Sequence, residues 1–120
     1  MAPVVARVVA LMDDLFFQMK VAETAKHLGV ELKVATTVEA FLALLQPPPQ
    51  LVIVDLNSRS QPIHAIEQLR AIQPHLPVIG FLSHVQRDLA VQAQNAGCTE
   101  VMPRSAFTQR LAEILAAAKA

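Results

Sequence analysis

Five times along the chain a short apolar run of strand length gives way to a segment whose apolar residues recur at helical spacing. This alternation constrains the fold more than any single motif, because β-α units joined by short connections build a parallel sheet with helices on both faces. The first run, Val4 to Met12, is rich in β-branched residues. In Leu15 to Leu28, Phe17, Val21, Ala25 and Leu28 keep a helical period. Asp14 stands where it can cap that segment, and Gly29 where a helix end favours a left-handed residue. Val30 to Ala35 alternates as a half-buried edge strand does. Thr37 starts a short helix through Leu45, which Pro47-Pro48-Pro49 stops. Leu51 to Val54 is the most apolar run, expected at the centre of a sheet covered on both sides. A helix from Ile63 to Ile72, a strand from Pro77 to Leu82 and a helix from Asp88 to Ala96, ended by Gly97, follow. A strand from Glu100 to Met102 and a single helix from Ala106 to Ala118, capped by Ser105, complete one domain over residues 1–120.

Composition narrows the function classes. Hydrophobic residues make up 53% and charged residues 17% of the 120, too apolar for a disordered chain. Ten basic residues balance ten acidic ones, so no long-range field draws the chain to nucleic acid or an anionic membrane. The one cysteine, Cys98, excludes an internal disulfide and a Cys-based metal cluster. No apolar run reaches the roughly 18 residues of a membrane span. Arg7 and Asp13-Asp14 interrupt what would otherwise pass for a short signal sequence. The expectation is a cytoplasmic protein.

Ligands of parallel α/β sheets bind beyond the carboxyl ends of the strands, so the residues that end each strand matter most. They are Asp13-Asp14, Asp55, Ser83 and Arg104. Clustered carboxylates repel one another, and a hard divalent cation with oxygen ligands relieves the cost. Mg²⁺ suits such a set, and Asp55 beside it has the chemistry of a carboxylate nucleophile toward phosphorus. Arg104 and Ser83 would then contact the phosphoryl oxygens. Plainer roles stand beside these: Asp14 as a helix cap, Ser83 as another, Arg104 as a structural counter-charge. With three glycines in all, scattered at 29, 80 and 97, neither a dinucleotide fingerprint nor a P-loop can be assembled.

The pattern resembles the response-regulator receiver family over nearly the whole chain. Asp13-Asp14 resemble its acidic pair, Asp55 in VIVDLN its phosphoacceptor, and Ser83 in GFLSHV its switch hydroxyl. Arg104 in VMPRS falls where the family has lysine. The resemblance implies a flavodoxin-like, doubly wound five-stranded parallel sheet in the order 2-1-3-4-5. It also implies a metal site of Asp13, Asp14, Asp55 and the Asn57 carbonyl. The implied function is a stand-alone signalling module, not an enzyme beyond self-catalysed phosphoryl acceptance and hydrolysis at Asp55. A sensor histidine kinase or phosphotransfer protein would act upstream, and a downstream protein partner or a second copy would receive the output, involving the last two helices.

Departures from the family pattern define a rival. Arg104 replaces lysine, and a planar guanidinium is not a point ammonium. The loop after Asp55 reads LNSRSQPIH, His84 follows Ser83 where a small residue is usual, and Val101 stands where an aromatic switch residue is common. Leu15-Phe16 set apolar bulk beside the acidic pair, either to pack, to lid the pocket or to meet a partner. These changes point to a pseudo-receiver, the same fold used as an interaction or dimerisation module without phosphorylation. A flavin carrier is a weaker third reading, since Asp13-Asp14 would repel a phosphate there.

Overall fold

The computed structural model describes residues 5–83 and 86–119. The Val4 start of the first expected strand and His84 therefore lie outside the described residues. Eleven elements follow in the order β1 (Arg7–Leu11), α1 (Leu15–Leu28), β2 (Glu31–Ala35), α2 (Val38–Ala43), β3 (Leu51–Asp55), α3 (Pro62–Ile72), β4 (Val78–Leu82), α4 (Arg87–Ala96), β5 (Glu100–Pro103), α5 (Arg104–Gln109) and α6 (Leu111–Ala117). All strand pairs are parallel, in the order β2-β1-β3-β4-β5. The order reverses between β1 and β3, so a crevice opens beyond their carboxyl ends.

Side-chain alternation explains the two-sided sheet. Val8, Ala10, Leu51, Ile53 and Phe81 face a core closed by Phe17 and Val21 of α1, Phe107 of α5 and Leu115 of α6. Val9, Leu11, Val52, Val54 and Val78 face a second core closed by Phe41 of α2, Ile66 and Leu69 of α3, and Ala93 of α4. Every residue of β3 is buried, as its unbroken apolar run requires. Only one of the five residues of β2, at the sheet edge, is fully buried. Among the described residues no helix is long and apolar enough to cross a membrane.

Most boundaries agree with the residue pattern to within a position or two; β1 starts later than expected, at Arg7, with residues 5 and 6 outside it, and one helix differs in kind. The final helix, expected unbroken from Ala106 to Ala118, begins at Arg104 and breaks at Arg110 (φ −97°, ψ 5°). There the Arg110 Nη1 donates to Glu100 Oε2 of β5 at 2.7 Å, while Nε lies 3.7 Å from Glu113. Ser105 caps nothing: it lies within the first turn, and Pro103 is the cap residue. The consequence for the site is direct, since Arg104 becomes the first helical residue after β5.

Candidate functional site

The rim of the crevice is built from the turns that follow β1, β3, β4 and β5. Asp14 caps α1 as its position suggests, Oδ1 accepting from the Phe17 N–H at 3.1 Å. Its Oδ2 accepts from Arg104 Nη1 at 3.2 Å. The Phe17 amide, then the Arg104 guanidinium, hold the Asp14 carboxyl below the usual carboxylate range.

Asp55, the last residue of β3, is only 3% exposed. Both of its oxygens have partners. Oδ1 accepts from the Asn57 N–H at 2.9 Å, closing a local turn, and Oδ2 lies 3.5 Å from Arg104 Nη2. Burial pushes this carboxyl up, opposed by the Asn57 amide and by Arg104 and reinforced by the charges of Asp13 and Asp14.

Arg104 thus joins the two acids. Its guanidinium carbon sits 4.7 Å from the Phe17 ring centroid and 5.6 Å from that of Phe81. Those rings belong to a triplet with Phe107, at centroid separations of 4.7–5.9 Å. A cation over aromatic faces is attracted by the ring quadrupole, and more strongly where water is excluded. Arg104 Nε is buried without a hydrogen-bond partner among the described residues, so the seat satisfies the charge but not every donor. The aromatic platform was not foreseen as part of the site. Phe17 lies on α1 and Phe81 on β4, 64 residues apart, and only the fold brings their rings to 5.2 Å from each other under Arg104.

The remaining residues are drawn into loop-to-loop bonds. Asp13 Oδ2 accepts from the Arg59 N–H at 3.1 Å, tying the turn after β1 to the turn after β3. The Asn57 side chain was not expected to act, yet it ties the loop after β3 to the loop after β4. Its Oδ1 accepts from both the N–H (2.6 Å) and Oγ (3.0 Å) of Ser83, and its Nδ2 donates to Gln86 at 2.8 Å. Ser83 is therefore no helix cap: the α4 cap residue is Gln86, which makes no side-chain bond to the helix. Val101, at the position where the family commonly has an aromatic switch residue, is half-buried against the second core. Phe17 is core as expected, but Leu15 and Phe16 do not pack; they are 71% and 87% exposed.

These contacts bear on the divalent ion. Mg²⁺ demands near-octahedral oxygen ligands at about 2.0–2.1 Å. Among the described residues no three His, Cys, Asp or Glu side chains assemble into a group that could hold a metal. The Asp14 and Asp55 oxygens that would face the ion face the guanidinium of Arg104 instead. In this arrangement Asp13, Asp14, Asp55 and Asn57 do not fit a divalent cation.

An all-parallel sheet in this order, with an acidic rim at its switch point, defines a doubly wound α/β protein of the flavodoxin-like class. Within that class the chain has the fold of a response-regulator receiver domain. It is similar to CheY4, a chemotaxis response regulator of Vibrio cholerae, with a TM-score of 0.81 at 18% identity, over 96% of this chain and 99% of that one. It is also similar to a receiver domain protein of Clostridium thermocellum, with a TM-score of 0.79 at 20% identity, over 96% and 94%. NtrX of Brucella abortus matches 97% of this chain with a TM-score of 0.78 at 23% identity, but the chain spans only 28% of that protein's length. No family model matches the sequence, and no curated protein matches it either. The chain is a divergent instance of the fold.

Proposed function

We propose that the chain is a receiver-fold signalling module that works through constitutive protein contacts, its acidic pocket kept closed by Arg104. The observation that carries this reading is the guanidinium set between Asp14 Oδ2 and Asp55 Oδ2 over two aromatic rings. A positive charge belonging to the chain itself offsets the clustered acids, which is the service a divalent ion would otherwise perform. Asp55 is in addition poorly placed as a nucleophile here: it is buried and both of its oxygens are engaged. Ser83, the hydroxyl expected to meet a phosphoryl oxygen, gives its hydrogen bond to Asn57. On this reading the relevant partner is a downstream protein, and no sensor kinase or phosphotransfer protein is needed to switch the module on.

A second reading, phosphoryl acceptance at Asp55 with Mg²⁺, is favoured by the convergence of Asp14, Asp55 and Arg104 on one rim. It requires Arg104 to leave Asp55. Intact-mass measurement after incubation with acetyl phosphate and Mg²⁺ separates the two. The closed-pocket reading expects no added phosphoryl mass on the wild-type protein, and the appearance of an adduct in Arg104→Lys, whose narrower ammonium can clear the pocket. A wild-type adduct that vanishes in Asp55→Asn would establish the second reading and remove the first.

A further inference from the structure

Among the described residues, three of the six exposed large hydrophobic side chains fall on the outer side of α1. Leu15, Phe16 and Met19 are 71%, 87% and 68% exposed, and Leu15 and Phe16 stand four and three residues before Met19, so each of them neighbours it on the helix surface. The other exposed large hydrophobics are separate from one another: Val5 precedes β1, Ile72 ends α3 and Val91 lies in α4. Contiguous apolar patches of this kind mark interaction sites in soluble proteins, whereas single ones need no explanation. A shallow groove continues along the same face toward the end of the helix, lined by Met19, Ala22, Glu23, Lys26 and His27.

The charge pattern around the patch says what covers it. The N-terminal end of α1 bears Asp13 and Asp14, and its C-terminal end bears Lys26 and His27. Asp13 and Lys26 are both exposed, and among the described residues neither forms an ion pair within the chain. Two copies of α1 laid antiparallel about an axis near Met19 and Lys20 would set Asp13 of each beside Lys26 of the other. The same arrangement opposes the two helix dipoles favourably. Each Phe16 then meets the groove beside Ala22 and Glu23 of the facing helix, and Met19 lies at the centre. The net charge of the chain is zero, so no long-range repulsion separates the copies.

We propose that α1 is a self-association surface, through which two copies form an isologous antiparallel helix pair with Phe16 and Met19 at its core and Asp13–Lys26 pairs at both ends. The pairing does not depend on the chemistry of Asp55. An interface made by one 14-residue helix from each copy is small, which corresponds to a weak, concentration-dependent dimer.

Sedimentation velocity of the full chain across a micromolar-to-millimolar series tests it. The wild type is expected to pass from monomer to dimer, and Met19→Asp to remain monomeric throughout. Lys26→Asp is expected to weaken the dimer by about tenfold, and combining it with Asp13→Lys to restore it. Phe16→Ser, at a side chain almost wholly in solvent, provides a second disruption, and circular dichroism confirms that each variant is folded. A wild type that stays monomeric at the highest concentration overturns the proposal and leaves the face to a different protein. A dimer unmoved by Met19→Asp and Phe16→Ser, or not restored by the paired charge reversal, overturns it as well. Because the acetyl phosphate experiment reads a different site, either proposal can fail while the other stands.

Discussion

Asp55 is the residue at which the opposing forces are easiest to separate. Burial raises the pKa of its carboxyl above 3.8, so between that value and the raised one the native state holds a proton that the unfolded chain has released. Stability from this group is fully present below pH 3.8 and is lost as pH rises through the native value. Asp14 has the opposite sign: its lowered carboxyl adds stability above 3.8 that disappears as pH falls through its native value. In a comparison of wild type with Asp55→Asn the largest part of the Asp14 contribution, its bond from the Phe17 amide, is present in both and cancels. Asp55→Asn is therefore expected to be the more stable at neutral pH, with the difference closing toward pH 3.8. Urea unfolding at a series of pH values measures it, and a gap that widened on acidification would show that Arg104 outweighs burial. The sequence showed the acids and the cation at the strand ends but not their mutual distances. An arginine three residues after Val101 reads the same whether it faces a phosphate, solvent or two carboxylates. What decides is the aromatic floor of Phe17 and Phe81, assembled from chain positions that no local pattern links.

Among the elements, the two helix-ending glycines make the same point with a measurable difference. Gly29 and Gly97 look alike in sequence, each closing an apolar helical stretch, and both have positive φ, 70° and 125°. Around Gly29 nothing lies within 4 Å of where a side chain would begin, so Gly29→Ala meets only the left-handed backbone cost, about 1 kcal/mol. At Gly97 an added Cβ would fall 2.5 Å from Arg70 Cγ. Arg70 cannot easily yield, because its guanidinium donates to the carbonyls of Gly97, Gln73 and Leu76. Gly97→Ala is thus expected to cost at least twice as much as Gly29→Ala in thermal or chemical unfolding; equal costs would mean that Arg70 is not the constraint. The helix starts at Asp14 and Thr37 were legible because a cap is a local device, set within three residues. The break at Arg110 was not, since the bond that accompanies it comes from Glu100, ten residues earlier on another element.

For the molecule as a whole, the alternation of runs was sufficient for the architecture. Its strand order was readable through the family resemblance, and the solved structures reproduce that fold although no more than about one residue in four is shared. A doubly wound sheet sends every strand end to one rim, which is why five residues far apart in sequence were recognisable as a set. The outward face of α1 was less legible. Leu15 and Phe16 were open between packing and contact, and only the placement of Phe17, Val21 and Ala25 against the core shows which side of the helix faces out.

The hydrogen bond from Arg104 to Asp14 spans 90 residues of sequence. It acts as a latch between the opening and closing stretches of the polypeptide, assisted by Lys119, whose ammonium donates to the Leu28 carbonyl. Contacts so remote along the chain bear the greatest loop-closure entropy and are drawn from those that form late and open early. Removing the latch should therefore loosen the tail before the middle. In Arg104→Leu, amide hydrogen exchange is expected to quicken first in residues 104–117 and at the head of α1, while the amides of β3 keep their protection. Uniform acceleration across the sheet would mean instead that this one side chain holds up the entire architecture.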